Sequence, residues 1–131
     1  MNPMLALRQY QKVGAQAQTS EASPHRLVQM LMEGGLDRIA QAKGAMERKD
    51  IPGKGSSISK AIGIIGGLRE GLDLEKAAET VGELDRLYAY MMKRLAEANI
   101  KSDPRILDEV AGLLRTVKEG WDAIAVPGPQ F

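Results

Sequence analysis

The chain has 131 residues, no cysteine, and 18 Lys plus Arg against 17 Asp plus Glu, for a formal net charge of +1. A near-neutral balance with scattered basic residues excludes the footprint of a strong nucleic-acid binder, and the lack of cysteine excludes disulfide frameworks and thiolate metal sites. A single domain of this length buries about two-thirds of the surface its unfolded chain exposes, so no covalent staple is required. Met1 to Ala22 is rich in Gln, Ala and small polar residues, with Leu5, Leu7, Tyr10 and Val13 as the sizeable apolar groups, and reads as a flexible or weakly helical N-terminal arm. Ser23-Pro24 then supplies an N-cap followed by proline at the first helical position, where its fixed φ and missing N–H are harmless. Helix one starts there, carries the stripe Val28, Met32, Gly35, Ile39, Ala42 and Met46, and is expected to end at Asp50-Ile51-Pro52-Gly53.

Helix two is expected over about Ser56 to Gly71, with Ile58, Ala61, Ile65, Leu68 and Leu72 in heptad spacing and Ile62 and Ile64 beside them. The corner Gly71-Leu72-Asp73 leads to helix three. Its stripe Ala77, Val81, Leu84, Tyr88, Met91, Leu95, Ala98 steps alternately by four and three residues, which is one sealed face. The helix is expected to stop near Asn99, a residue tolerant of the left-handed conformation. Leu87 and Tyr90 fall outside the stripe, at about 100° and 160° from Tyr88, so this helix has something further to cover. Ser102-Asp103-Pro104 repeats the cap-then-proline signal. Helix four carries Leu107, Val110, Leu114, Val117, Trp121 and Ile124, flanked by Ile106 and Leu113, and Val126 to Phe131 reads as a disordered tail.

Four helices of roughly 16 to 27 residues with short connections predict an all-α fold: an antiparallel up-down four-helix bundle over residues 23–125, between an arm at 1–22 and a tail at 126–131. Each helical glycine costs up to about 1 kcal/mol against alanine unless packing offsets it, and the pair Gly66-Gly67 bends helix two or leaves a groove. The longest near-uncharged apolar stretch, Ala61 to Leu68, is far short of the roughly 20 residues of a membrane span, and no signal-peptide core precedes the bundle. The expectation is a cytoplasmic protein.

No constellation for chemistry emerges. Gly53-Lys54-Gly55-Ser56-Ser57 looks like a phosphate loop, but a glycine follows the lysine where Ser or Thr is needed, position 48 is Arg, and no buried strand precedes it. His25, the single histidine, falls in the first turn of helix one with no Glu-x-x-His pairing and reads as a surface or capping residue. Glu33 and Asp37 lie mostly on the solvent side, so no carboxylate metal site is expected. The serine and threonine clusters near residues 19–23 and 56–59 lack a histidine and an acid in workable order. The expectation is a protein that is not an enzyme and uses no cofactor or metal.

Three stretches together resemble the flagellar secretion chaperone family, FliS. The first, Thr19-Ser20-Glu21-Ala22-Ser23-Pro24-His25-Arg26-Leu27-Val28-Gln29-Met30-Leu31-Met32-Glu33-Gly34, is similar to the family's lead into helix one, with Met32 replacing the usual aromatic. The second is Ser59-Lys60-Ala61-Ile62-Gly63-Ile64-Ile65 with Gly71-Leu72-Asp73-Leu74-Glu75-Lys76. The third, Leu84-Asp85-Arg86-Leu87-Tyr88-Ala89-Tyr90-Met91 through Arg94-Leu95 to Ala98-Asn99, is the most specific, because Leu-Tyr-x-Tyr-Met and a terminal Ala-Asn recur in the family. Val110, Leu113-Leu114 and Trp121 also agree with its last helix. The match covers about residues 5–125 in one register. Ala77-Ala78 departs from it, standing where a second glycine usually follows Glu-Lys, and Gly66-Gly67 is unusual.

The resemblance implies a bundle that holds the C-terminal segment of flagellin in the cytoplasm, prevents its premature polymerisation and delivers it to the flagellar type III export apparatus. It also leaves room for another flagellar regulator on the same surface. A disordered amphipathic client segment would lay its apolar residues in grooves between helices and lose conformational entropy as it orders. The client-binding candidates are Ile64 and Leu68 on helix two, Leu87, Tyr90, Met91 and Arg94 on helix three, and Leu113 on helix four, with Asn99 placed to bond the client backbone. The resemblance further implies that the arm lies over part of this site as a competing lid, with Tyr10, Leu7 and Val13 as its anchors. Leu68, Met91 and Leu113 lie within about 60° of their stripes and also read as core. Tyr90, with a ring and a hydroxyl far from the seam, is the foremost candidate. The alternative reading is a homodimer whose spare apolar surface meets a second copy and no client.

Overall fold

The computed structural model describes residues 23–72 and 78–124. Among them are four helices, α1 (Pro24–Glu47), α2 (Ile51–Glu70), α3 (Ala78–Lys101) and α4 (Pro104–Ala123), and no strand. The arm at 1–22, the connection at 73–77 and the tail from 125 lie outside the described residues.

Two tight corners of one design set the helix ends. After α1, Lys49 adopts a left-handed φ of 57°, its N–H returns to Met46 O at 3.1 Å, and the Asp50 N–H returns to Ala45 O at 2.8 Å. After α3, Ser102 takes φ 50° and the Asp103 N–H returns to Ala98 O at 3.3 Å. These are Schellman-type closures of otherwise orphan carbonyls. The same aspartates then cap the next helix: Asp50 Oδ1 accepts the Gly53 N–H at 3.0 Å, and Asp103 Oδ1 accepts the Arg105 N–H at 2.9 Å. Ser23 plays that role for α1, its Oγ accepting the Arg26 N–H at 3.1 Å.

Both departures from the sequence expectation follow from these corners. α2 begins at Ile51 rather than near Ser56, because Pro52 stands in the first turn, where no intrahelical N–H partner is lost. α3 continues through Asn99 to Lys101, because Ser102, not Asn99, takes the left-handed position.

Each helix packs on its chain neighbours and α4 closes back on α1, with α1 and α2 in the most extensive contact. Side-chain bonds give the directions. Lys54, in the first turn of α2, reaches the end of α3; Lys43, near the end of α1, bonds Asp108 at the start of α4 at 2.9 Å. The arrangement is therefore the up-down-up-down bundle expected from the stripes. Its core is one cluster that includes Leu31, Met32, Ile39, Ile58, Ile65, Tyr88, Leu95, Leu107, Val110 and Leu114. Burying each large apolar side chain contributes about 1.5–3 kcal/mol, and the same burial pushes the Tyr88 hydroxyl pKa up to about 12. Gly35 lets α1 approach both neighbours: a Cβ there would sit 3.1 Å from Leu114 Cδ2 and 3.6 Å from Ile64 Cγ2. No described helix is long and apolar enough to cross a membrane.

Candidate binding surface

The described residues do not fill the end of the bundle where α1 and α3 begin and α2 and α4 finish. An open apolar furrow of about 440 Å³ lies there, walled by Val28, Leu31 and Met32 from α1, Leu68 and Leu72 at the end of α2, Leu84 and Tyr88 from α3, and Val117, Trp121 and Ile124 at the end of α4. The cause is local: Gly67, Gly71, Thr80, Thr116 and Gly120 also line it, and residues so small leave the space between the larger walls unoccupied.

One rim is tied by His25 and Trp121. The His25 Nε2–H donates to the Trp121 carbonyl oxygen at 2.8 Å, and the Trp121 Nε1–H donates to the His25 carbonyl oxygen at 3.0 Å. The two rings stack with centroids 4.8 Å apart and planes 13° from parallel. The His25 ring thereby caps one of the last carbonyls of α4.

A second exposed surface follows the α3–α4 seam. Tyr90, 42% exposed, donates its hydroxyl to Glu109 Oε2 at 2.6 Å. Arg94 donates Nε–H to Glu109 Oε1 at 2.8 Å and a terminal N–H to Glu97 Oε2 at 2.7 Å. The Tyr90 bond, then Arg94, holds the Glu109 carboxyl below the ordinary carboxylate range, and the same bond raises the Tyr90 hydroxyl. In the antiparallel register that this pair fixes, Leu87 lies one turn from Tyr90 and Leu113 one turn from Glu109, both toward the furrow. Leu87 and Leu113 are half-buried against the core.

The structure thus brings Leu87, Tyr90, Arg94 and Leu113 together along one seam. Leu68 lines the furrow, with 6% exposure. Ile64 and Met91 lie inside the core, and half-buried Asn99 lies at the opposite end of the bundle, where its carbonyl accepts a bond from Lys54 at 3.0 Å. Leu7, Tyr10 and Val13 fall outside the described residues. Sequence reasoning placed the furrow walls Val28, Leu84, Val117 and Trp121 in core stripes. The signal for the opening was the set of small residues that α2 and α4 carry near their ends, of which only Gly66-Gly67 drew attention. Among the described residues no group of three or more His, Asp or Glu side chains is placed to hold a metal ion.

A family model described as flagellar protein FliS matches residues 6–128. The chain is similar to the flagellar secretion chaperone FliSB of Pseudomonas aeruginosa, 61% identical over 125 residues that cover 95% of this chain and 99% of that one. It is 43% identical over 119 residues to the flagellar secretion chaperone FliS of Vibrio cholerae, covering 91% of this chain and 88% of that protein. With FliS of Salmonella typhimurium it shares 39% identity over 120 residues, 91% of this chain and 89% of the relative.

Proposed function

The chain belongs to the FliS family of flagellar proteins, a family of secretion chaperones and not of enzymes, and from that premise we propose that it binds the C-terminal segment of flagellin in the cytoplasm. Bound there, the segment cannot polymerise, and the complex is handed to the flagellar type III export apparatus. The observation that carries this reading is the furrow, about 440 Å³ of open apolar space that the described side chains of the bundle do not fill.

The physical mechanism is coupled folding and binding. A disordered amphipathic segment places bulky apolar side chains in the furrow and continues along Leu87, Tyr90 and Leu113. The ordering entropy is offset by the wrapped apolar area. Tyr90 offers a ring to the guest while its hydroxyl stays satisfied by Glu109. Arg94 and Glu109, half exposed and already polarised, can exchange their mutual bonds for bonds to the guest. Ile64 and Met91 support the groove from beneath, and Asn99 would meet a guest only if the guest extends the full length of α3. The arm, through Leu7, Tyr10 and Val13, competes for the same surface as a lid.

Calorimetry of the full chain with a synthetic flagellin C-terminal peptide tests the proposal. The expected signature is a large negative heat-capacity change together with a gain of helix by circular dichroism. Absence of binding at high micromolar peptide, or a chain that buries Tyr90 in a concentration-dependent dimer without any client, refutes it. Deleting Met1 to Val13 raises peptide affinity modestly if the lid competes, and unchanged affinity removes the lid from the mechanism.

A further inference from the structure

We propose that His25 is a positioning residue for the furrow: its clasp on Trp121 holds the indole upright as a wall, so that the cleft stands open before a guest arrives. The inference rests on the furrow being the guest site.

Trp121 is a half-buried aromatic beside an apolar opening large enough to receive it. An indole in that position gains burial by rotating inward, since an aromatic side chain hides about 150–250 Å² when it is enclosed. Turned inward, it would occupy the space that the guest needs. The clasp opposes this rotation. It satisfies the indole N–H at 3.0 Å on the His25 carbonyl, ties the Trp121 carbonyl to the imidazole at 2.8 Å, and stacks one ring face at a centroid distance of 4.8 Å. Inward rotation would break the indole bond and the stack together. The backbone on which Trp121 stands is fixed as well, because its carbonyl also receives the Ile124 N–H at 3.2 Å. His25 itself is not among the residues lining the furrow, so it acts on the guest only through Trp121.

This arrangement has a kinetic signature. If only a fraction of the molecules hold the furrow open, guest association slows in proportion to that fraction while dissociation of the formed complex is unaffected. A residue that touches the guest would instead change dissociation. His25→Ala keeps the backbone carbonyl that holds the indole N–H and removes the stack, which corresponds to about a two- to tenfold fall in the ratio of open to closed molecules.

Two measurements on the full chain test the proposal, using Trp121, the sole tryptophan, as reporter. Without any guest, His25→Ala should shift the indole emission to the blue and lower its quenching by acrylamide, as the ring enters the furrow. An unchanged or red-shifted emission overturns the proposal. With the flagellin peptide, stopped-flow binding should show association slowed by up to about tenfold, with dissociation within twofold of the unmodified chain. His25→Phe, which restores a ring to stack on the indole, should recover part of the rate. A change confined to dissociation, or no change in either rate, overturns it, and melting curves of both variants separate these effects from loss of fold. If the unmodified chain fails to bind peptide, the guest reading falls, and the guest-free emission still decides whether the clasp holds the indole.

Discussion

Lys54→Met isolates the one buried charge in the described structure. Lys54 is 7% exposed, and its ammonium donates to the Asn99 carbonyl at 3.0 Å and to Ser102 Oγ at 2.6 Å, pinning the first turn of α2 to the last turn of α3. Methionine keeps the apolar stem and its packing while deleting the donor. The exposed Ser102 hydroxyl returns to water at little cost, whereas the Asn99 carbonyl is part-buried and loses a charge-assisted bond of about 1.5–3 kcal/mol. Part of that loss is offset because an ammonium no longer has to be desolvated. The net expectation is about 1–2 kcal/mol, or a fall in Tm of about 4–8 °C for a chain of this size. Thermal and urea unfolding followed by circular dichroism measure it, with Lys54→Met/Ser102→Ala costing less than about 0.5 kcal/mol more than the single variant because that hydroxyl is solvated. A variant as stable as the parent, or more so, would mean that desolvation had cancelled both bonds, and the pinning argument would fail.

Tyr90→Ala should weaken flagellin-peptide binding by about 1–3 kcal/mol with little change in Tm, while Tyr90→Phe, which keeps the ring and frees Glu109, should retain most of the affinity. A large drop in Tm with unchanged affinity would move the residue into the core. Gly112 sits on an exposed helical face with nothing within 4 Å of an added Cβ, so Gly112→Ala should stabilise by about 1 kcal/mol. Gly35→Val, against Leu114 and Ile64, should destabilise by about 1–3 kcal/mol in the same urea assay. Asp85, held below the ordinary carboxylate range by its bond from Arg69, and Asp122, held down by Lys118 and then Gln29, have folded-state pKa values below the unfolded ones. Their contribution is present above the unfolded value of about 4 and is lost as pH falls through the folded value. Asp85→Asn should therefore lower stability at pH 7, and the difference from the parent should shrink as pH falls through the folded value, as read by urea midpoints across pH.

The bundle was legible because each helix keeps its stripe on one face. Met32, Gly35, Ile39 and Ala42 are buried as the spacing requires, and so are Tyr88, Met91, Leu95 and Ala98. Tyr90, placed far outside the seam by its angle, is exposed. Pro52 misled because a proline after an aspartate stops one helix or opens another. The Asp50 carboxylate, bonded to the Gly53 N–H, decides for opening. Asn99 misled because left-handed tolerance is a permission, and the closure onto Ala98 O passes the requirement to Ser102. The furrow was hidden for a different reason. It is made by side chains that are not there, and Gly67, Gly71 and Gly120 come to one end only after helices distant in the chain have assembled. His25 and Trp121, 96 positions apart, leave no local pattern at all.

The His25–Trp121 contact has a practical corollary. Because α1 starts and α4 finishes side by side, the first turn of the one and the last turn of the other both stand at the mouth of the same apolar opening. A bulky label attached on either of those turns would crowd that doorway, and attachment at the Lys49 corner, at the far pole of the molecule, would leave it clear.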